Sequence, residues 1–380
     1  MKILVVSFGP ISETKSGYFN LVNESIKAMQ KYYDVDSVEF VSSHGLRKAG
    51  GFNSKGRSFV KFNKGLIGEF WLYKLIIISL NALRMHATVK KYDVIIIETS
   101  VFFPYALVAK ILHKKVIFAM HGLILEMAWN NKKRPVKYLE QLFQAYFLDK
   151  ISSFISDIVL VTSNHDKELA VRFLHVIEAK VSLRPVVIAP PDLYRSGEFS
   201  KRAVKSKLGI PDETFIGLIV GDYSAEQNWK ALNFLFSTEY LFPENFILLV
   251  IGETYGRYSS TRKIKVMGYV ESVGDYYEVA NGLILPLSTG MGVKTKIIES
   301  MAYGLHVFTT SIGLSGIDLE ECQGFHIYNL NEFWVEFKRD MAQMDYSKKC
   351  QCLMDLYSRK YSSLYLEKLL KEILSSINAR

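Results

Sequence analysis

The residues best placed to do chemistry lie between Leu285 and Thr310, in the stretch LPLSTGMGVKTKIIESMAYGLHVFTT. It reads as strand, glycine-rich loop, helix, glycine stop, strand. Gly290 and Gly292 let the backbone turn tightly and approach a ligand, and the helix that follows offers unpaired N–H groups to an anion. Lys294 and Lys296 add two positive charges there, so a diphosphate is the natural guest. Glu299, in the first turns of the helix, stands where a carboxylate can accept hydrogen bonds from a ribose. From the loop alone a second reading stays open, in which the carboxylate caps the helix and complements its dipole and the two lysines are merely solvated.

Other candidates sit at strand ends. The strand KILVVSF runs into a loop with Gly9, Ser16 and Gly17 that opens a helix. That loop could approach a phosphate or an acceptor, or be a tight strand-to-helix turn. KVIFAMHG places His121 at the end of a strand, where open α/β sheets bind ligands. Ser163 ends DIVLVTS in the same way. Beyond His121, the polar and basic loop with Glu126, Trp129 and Asn130 to Arg134 suits an acceptor phosphate, a membrane surface or simple solvation.

Two similar sets of elements must position these residues. Val- and Ile-rich runs recur in the first half (KILVVSF, VDSVEFV, DVIIIET, KVIFAMH, DIVLVTS and VSLRPVVIAP), separated by segments of helical spacing. This is the βαβ pattern of a parallel sheet. After the turn-rich APPDLYRSGEF, with Pro190, Pro191 and Gly197, the rhythm restarts as TFIGLIVGD, FILLVIG, IKVMGYV, GLILPL, HVFTTS and GFHIYN. The expected fold is α/β, with two doubly wound Rossmann-like domains facing a cleft. Residues 1–189 form one domain and 190–356, with the glycine-rich loop, the other, and a helix over 357–380 packs back on the first.

A chain of 380 residues, 49% apolar, is long enough for two domains with separate cores. Its formal charge of +9 is uneven: residues 1–190 hold 26 basic against 15 acidic side chains, the remainder 21 against 23. The basic half suits an anionic membrane surface or a phospholipid-linked partner, or serves solubility. No aromatic–basic nucleic-acid motif appears. The apolar window Phe70–Leu83 holds Lys74 and is too short to span a bilayer. With Arg57, Phe59, Lys61, Phe62, Lys64, Phe70, Trp71, Lys90 and Lys91 it could rest on one, or be a helix packed on a sheet. Cys322, Cys350 and Cys352 show no histidine or further cysteine at metal-ligand spacing, so a reduced, cytoplasmic protein without a metal site is expected.

The stretch from Gly290 to Gly304 resembles the retaining family-4 glycosyltransferases, which have the GT-B fold and belong to glycosyl transferases group 1. The matching residues are Gly290, Gly292, Lys296, Glu299, Ala302, Gly304 and Val307. The resemblance implies that Glu299 binds the donor ribose and that the loop amides, with Gly221, hold its phosphates. It implies further that His121 contacts the transferred sugar near the reacting carbon. The family has a glycine pair near Gly17, of which one is present here. Met291 stands where the family often has a sugar-contacting Glu, and Gly221-Asp222 and Gln227 stand where many members have phosphate-neutralising Arg and Lys. Lys294 and Lys296 are then the expected replacements, with Lys230 a weaker one.

The implied activity is transfer of a hexosyl or N-acetylhexosaminyl group from a nucleotide-diphosphate sugar to a hydroxyl, with retention and no obligatory metal or other cofactor. The acceptor would be a glycan, a lipid-linked molecule or a small molecule, met in the cytoplasm or by a peripheral protein at the inner membrane face. A GT-B-like sugar-nucleotide epimerase and a non-catalytic sugar-nucleotide-binding homologue are the alternatives. A dinucleotide-dependent dehydrogenase is disfavoured, because no loop carries the full glycine fingerprint with its acidic partner.

Overall fold

The computed structural model describes residues 1–9, 17–42, 57–62, 71–121, 135–188, 205–206, 208–270, 272–290, 292–320, 322–346 and 348–379. The chain forms two compact units, Met1–Val187 with Ser363–Arg380, and Ile188–Ser362.

The first unit is built on seven parallel strands in the order β3-β2-β1-β4-β5-β6-β7. They are β1 (Lys2–Phe8), β2 (Asp34–Ser42), β3 (Arg57–Phe62), β4 (Val94–Ile97), β5 (Lys115–Met120), β6 (Ile158–Val161) and β7 (Val181–Leu183). The central strands are buried on both faces, as their unbroken apolar runs require. On one face α1 (Gly17–Gln30) and the C-terminal helix α12 (Ser363–Ala379) cover Ile3, Val5, Val94 and Ile96 with Leu21, Val22, Leu366, Leu370 and Leu374. On the other, α2 (Trp71–Arg84) and α3 (Phe103–Ile111) bring Ile78, Ala82, Tyr105 and Ala106 against the sheet.

Two sequence expectations need correction here, and one strand lies outside those read from the sequence. Arg57–Phe62 is an edge strand in register with Ser37–Ser42 of β2. VSLRPVVIAP is a strand only over Val181–Leu183, since Pro185 lacks the N–H a longer ladder needs. The C-terminal helix is interrupted: α11 (Gln351–Lys360) buries Leu353, Leu356 and Tyr357 in the second unit, and only Ser363 onward joins the first. The turn residues Pro190, Pro191 and Gly197 lie outside the described residues.

The second unit has six parallel strands in the order β10-β9-β8-β11-β12-β13. They are β8 (Phe215–Val220), β9 (Phe246–Ile251), β10 (Ile264–Gly268), β11 (Gly282–Leu285), β12 (His306–Thr309) and β13 (Phe325–Ile327), the six runs expected from sequence. The strand order reverses between β8 and β11, so the segments following these two strands diverge and leave a crevice at their C-terminal ends. Helix α7 (Glu226–Ser237) follows β8, α8 (Gly274–Val279) precedes β11, α9 (Thr295–Ala302) joins β11 to β12, and α10 (Phe333–Gln343) follows β13. Among the described residues no helix is long and apolar enough to cross a membrane.

Candidate functional site

Glycines open the crevice of the second unit. At the end of β8, the Gly221 N–H donates to the Ile251 carbonyl at 3.0 Å. Gly252, at the end of β9, has φ 118°, and a Cβ there would lie 1.8 Å from the Gly221 carbonyl oxygen. No side chain fits that space, and the two strand ends pack backbone to backbone. Gly290 has φ 133° and Gly292 φ 67°. A Cβ on Gly290 would meet Gln227 Oε1 at 2.3 Å, and one on Gly221 would meet Lys296 Nζ at 3.1 Å. Gly221, Gln227, Gly290 and Lys296, distant in sequence, therefore share one small volume at the reversal point.

Lys296 enters this volume from the first turn of α9. Its ammonium donates to Asn228 Oδ1 at 2.8 Å, and Asn228 in turn donates to the Asp222 carbonyl at 2.8 Å. Burial pushes the Lys296 amine down to about 8; Glu299 partly offsets this and Lys294 adds to it. A buried cation whose hydrogen-bond partner among the described residues is a neutral amide, set between glycines, suits an anion, whose charge would offset the lost solvation. Lys294, also buried, turns back to donate to the Gly292 carbonyl at 2.6 Å and braces the loop. Lys230 pairs with Glu226 at 2.7 Å on the surface of α7. Asp222 bonds the Ser224 N–H at 2.9 Å and the Tyr255 hydroxyl at 3.1 Å, and these contacts, the Ser224 N–H foremost, hold its carboxyl below its usual range.

One turn further along α9, Glu299 accepts a hydrogen bond from the Tyr277 hydroxyl at 2.7 Å. Burial raises the Glu299 carboxyl, against the opposing effects of Tyr277 and Lys296. Tyr277 is itself stacked on Tyr303 with ring centroids 5.3 Å apart. One carboxylate oxygen is thus fixed by a buried phenol, which orients the group for a hydroxyl-bearing ligand. At the same sheet edge a pocket of ≈ 520 Å³ opens among Ser288, Thr310, Tyr328, Asn329 and Glu332.

In the first unit His121 belongs to a buried ionic cluster. Arg184 bonds Glu98 through both terminal nitrogens, at 2.9 and 2.8 Å, and His121 Nε2 lies 2.7 Å from Glu98 Oε2 and 3.1 Å from Arg184. Burial opposes ionisation of Glu98, but Arg184 and then His121 overcome it and hold the carboxyl down at about 2. Burial also lowers His121, despite Glu98, so the neutral imidazole donates through Nε2 and keeps its lone pair on Nδ1. The Tyr18 ring packs edge-on against His121 at 4.6 Å. Ser163 caps α6 (Asn164–Leu174), accepting the Asp166 N–H at 3.0 Å and donating to its carboxylate at 2.7 Å. Gly17 is the first residue of α1. Ser16, Met291 and Glu126 to Arg134 lie outside the described residues.

Sequence reading missed Glu98, Arg184, Tyr277 and Gly252. The first two were embedded in apolar strands, DVIIIET and VSLRPVV, where an isolated charge was itself a signal. The cysteines also need correction. Cys322 lies beside Cys350 and Cys352, and Cys322 and Cys352 form a disulfide.

The Glycosyl transferases group 1 family model matches residues 214–337, which span β8 to α10 and include the glycine cradle, Lys296 and Glu299. No curated protein matches the chain in sequence. Among solved structures, HepE of Anabaena in complex with UDP has a TM-score of 0.72 at 12% identity, over 99% of this chain and 100% of that one. Sucrose-phosphate synthase of Thermosynechococcus elongatus gives 0.74 at 14%, over 100% and 99%. The UDP-GlcNAc 2-epimerase of Methanocaldococcus jannaschii gives 0.58 at 14%, over 99% and 100%. At these identities the likeness establishes the fold, the two Rossmann-like units of the GT-B type.

Proposed function

We propose that this protein is a glycosyltransferase that takes a sugar from a nucleotide-diphosphate donor held at the reversal point of the second sheet. The observation that carries the reading is the convergence of Gly221, Gly290 and Lys296 at the reversal point, with Glu299 one turn away. The diphosphate lies against the loop amides and Lys296, and Glu299 accepts from the ribose. UDP is the first nucleotide to try, because HepE was solved with UDP and with UDP-glucose.

In the proposed reaction the bond from the anomeric carbon to the diphosphate oxygen breaks as an acceptor hydroxyl attacks, with retention as in the family the motif resembles. Lys296 and the N–H groups of α9 stabilise the leaving diphosphate, and its departing oxygen takes the hydroxyl proton. In this scheme charge neutralisation needs no obligatory metal. For the first unit, the proposal is that His121 contacts the transferred sugar. A neutral imidazole held by Glu98 suits a hydrogen bond to a sugar hydroxyl. The acceptor is a hydroxyl of a glycan, a lipid-linked molecule or a small molecule.

A thermal-shift panel of UDP-, GDP-, ADP- and dTDP-sugars tests the donor site, because a ligand of the folded state raises the midpoint. One nucleotide should stabilise the wild type, and the Lys294→Ala/Lys296→Ala double variant should lose that shift while keeping its unliganded midpoint within a few degrees. No shift with any of the four would refute the site. The epimerase fold likeness supports a second reading. Product analysis separates the two, since an epimerase interconverts sugar nucleotides with no acceptor present.

A further inference from the structure

All three cysteines of the chain meet in the second unit. Cys322 lies on the segment before β13, Cys350 is the N-cap of α11, and Cys352 is in its first turn. Their sulfurs all lie within 4.8 Å of one another, and Cys350 Sγ is 3.4 Å from Cys352 Sγ. Cys322 and Cys352 are paired, with Cα atoms 5.7 Å apart. Each side chain is partly exposed, so the apolar core does not account for their meeting.

Two chemistries suit three adjacent thiols. Disulfide exchange requires the attacking sulfur in line with the bond it breaks, a row of three atoms. Here the three sulfurs form a compact triangle instead. Around a thiophilic cation at ~2.3 Å, tetrahedral geometry spaces thiolate sulfurs about 3.8 Å apart, close to the 3.4 Å between Cys350 and Cys352 Sγ, and reduction releases Cys322 Sγ from Cys352 to reach the same spacing. The first turn of α11 adds helix N–H groups that favour the thiolate form of Cys352. The cluster is also anchored: the Cys350 N–H donates to the Gly304 carbonyl at 2.7 Å, just past the end of α9, and a Cβ on Gly324 would lie 2.8 Å from Cys350 Sγ.

We propose that, in the reduced protein, Cys322, Cys350 and Cys352 form a three-thiolate site for a thiophilic cation such as Zn²⁺, with a fourth position open to solvent. The disulfide is its metal-free, oxidised alternative. A thiol reductant converts one to the other: two reductant thiols become a disulfide, Cys322 and Cys352 become thiols, and a divalent cation then displaces three protons from the three cysteines. Because α11 holds the end of α9, occupancy braces the helix that carries Lys296 and Glu299.

The test uses the full chain, reduced under anaerobic conditions and freed of reductant, titrated with Zn²⁺ against a chromophoric chelator while reactive thiols are counted with a disulfide reagent. One zinc per chain and protection of all three thiols is expected, and Co²⁺ in its place should give a thiolate charge-transfer absorption. Cys350→Ser leaves the Cys322–Cys352 pair intact, so its folding is secured under oxidising conditions. After reduction it should bind zinc more weakly by more than the roughly 10–100-fold lost with an outer-shell partner. A reduced chain that unfolds and is refolded by zinc supports the site equally. Three reactive thiols without zinc uptake, unaltered affinity in Cys350→Ser, or an unfolded reduced chain that zinc does not rescue would each overturn it.

Discussion

Lys296 carries two opposing pH dependences. Its amine is pushed down to about 8 by burial, whereas in the unfolded chain it titrates near the ordinary lysine value of about 10.4. Between these values the unfolded state binds more protons, so stability of the unliganded protein rises with pH across that window. Nucleotide affinity runs the other way. A diphosphate needs the ammonium, so affinity should fall as pH rises above 8, with bound anion shifting the midpoint upward. Lys296→Met should bind weakly at all pH values and abolish both slopes, which isothermal titration and denaturant melts at pH 7, 8.5 and 10 can check. Glu299→Gln should keep the fold and the phosphate contacts but weaken a nucleoside diphosphate sugar about 10-fold or more, since a carboxylate hydrogen bond contributes roughly 1.5–3 kcal/mol. Inorganic diphosphate should be indifferent to that change. Both residues were legible in the sequence because a glycine loop, two lysines and a carboxylate stand within ten positions. Asn228 and Gly221 as partners of Lys296 were not, because adjacency across the strand-order reversal is a product of topology, not of spacing.

At the scale of elements, the helix on which sequence periodicity is least informative is the one carrying a buried acid. Leu139, Leu142, Phe143 and Phe147 suggest one continuous helix, and the chain instead runs from α4 (Pro135–Phe143) through a π-helical turn, Gln144–Asp149, into α5 (Lys150–Ile155). A π turn rotates the face presented after it: Leu148 and Asp149 are buried while Phe147 is exposed, as is Leu139 in the helix before it. Strand runs were easier to read, since a β-branched stretch between turn residues has few other fates. Edge strand β3 escaped because its basic residues and single Val resemble a surface segment. Asp149 is 2% exposed, its Oδ2 has no hydrogen-bond partner among the described residues, and burial raises its carboxyl to about 7. A raised acid contributes stability that is complete below its unfolded value of about 3.9 and is lost as pH rises to the folded value. The full loss has an upper bound of ~4 kcal/mol by the pKa difference. Asp149→Asn should therefore raise the melting midpoint by several degrees at pH 8 and change it little at pH 4.5. An equal effect at both pH values would show that the carboxyl does not titrate in this range.

The whole molecule is organised by a chain that leaves its first unit at Val187 and returns to it at Ser363. The basic excess of the first 190 residues and the two-sheet plan could be read from composition and rhythm, but the point of return could not. Tyr357 to Ile377 carries a continuous helical pattern, and only the packing of Tyr357 in one unit and Leu366, Leu370 and Leu374 in the other divides it. Helix α12 is held to α1 by those leucines and, at its rim, by Glu367 with Lys31 and Tyr32 and by Ser363 Oγ donating to Glu24 at 3.0 Å. The Lys31 and Tyr32 contacts are solvent-exposed and contribute little. Leu374 is fully buried, and truncating such a leucine to alanine costs about 2–5 kcal/mol, a large part of the roughly 5–15 kcal/mol that stabilises a domain. Leu374→Ala should lower the melting midpoint of the first unit, read by calorimetry, while Lys31→Ala should leave it within about a degree. Because the residues proposed to hold the nucleotide belong to the second unit, the nucleotide that stabilises the wild type should still bind folded Leu374→Ala with unchanged affinity at a temperature below its transition. Loss of that binding would mean that the C-terminal helix supports the donor site as well as the first sheet.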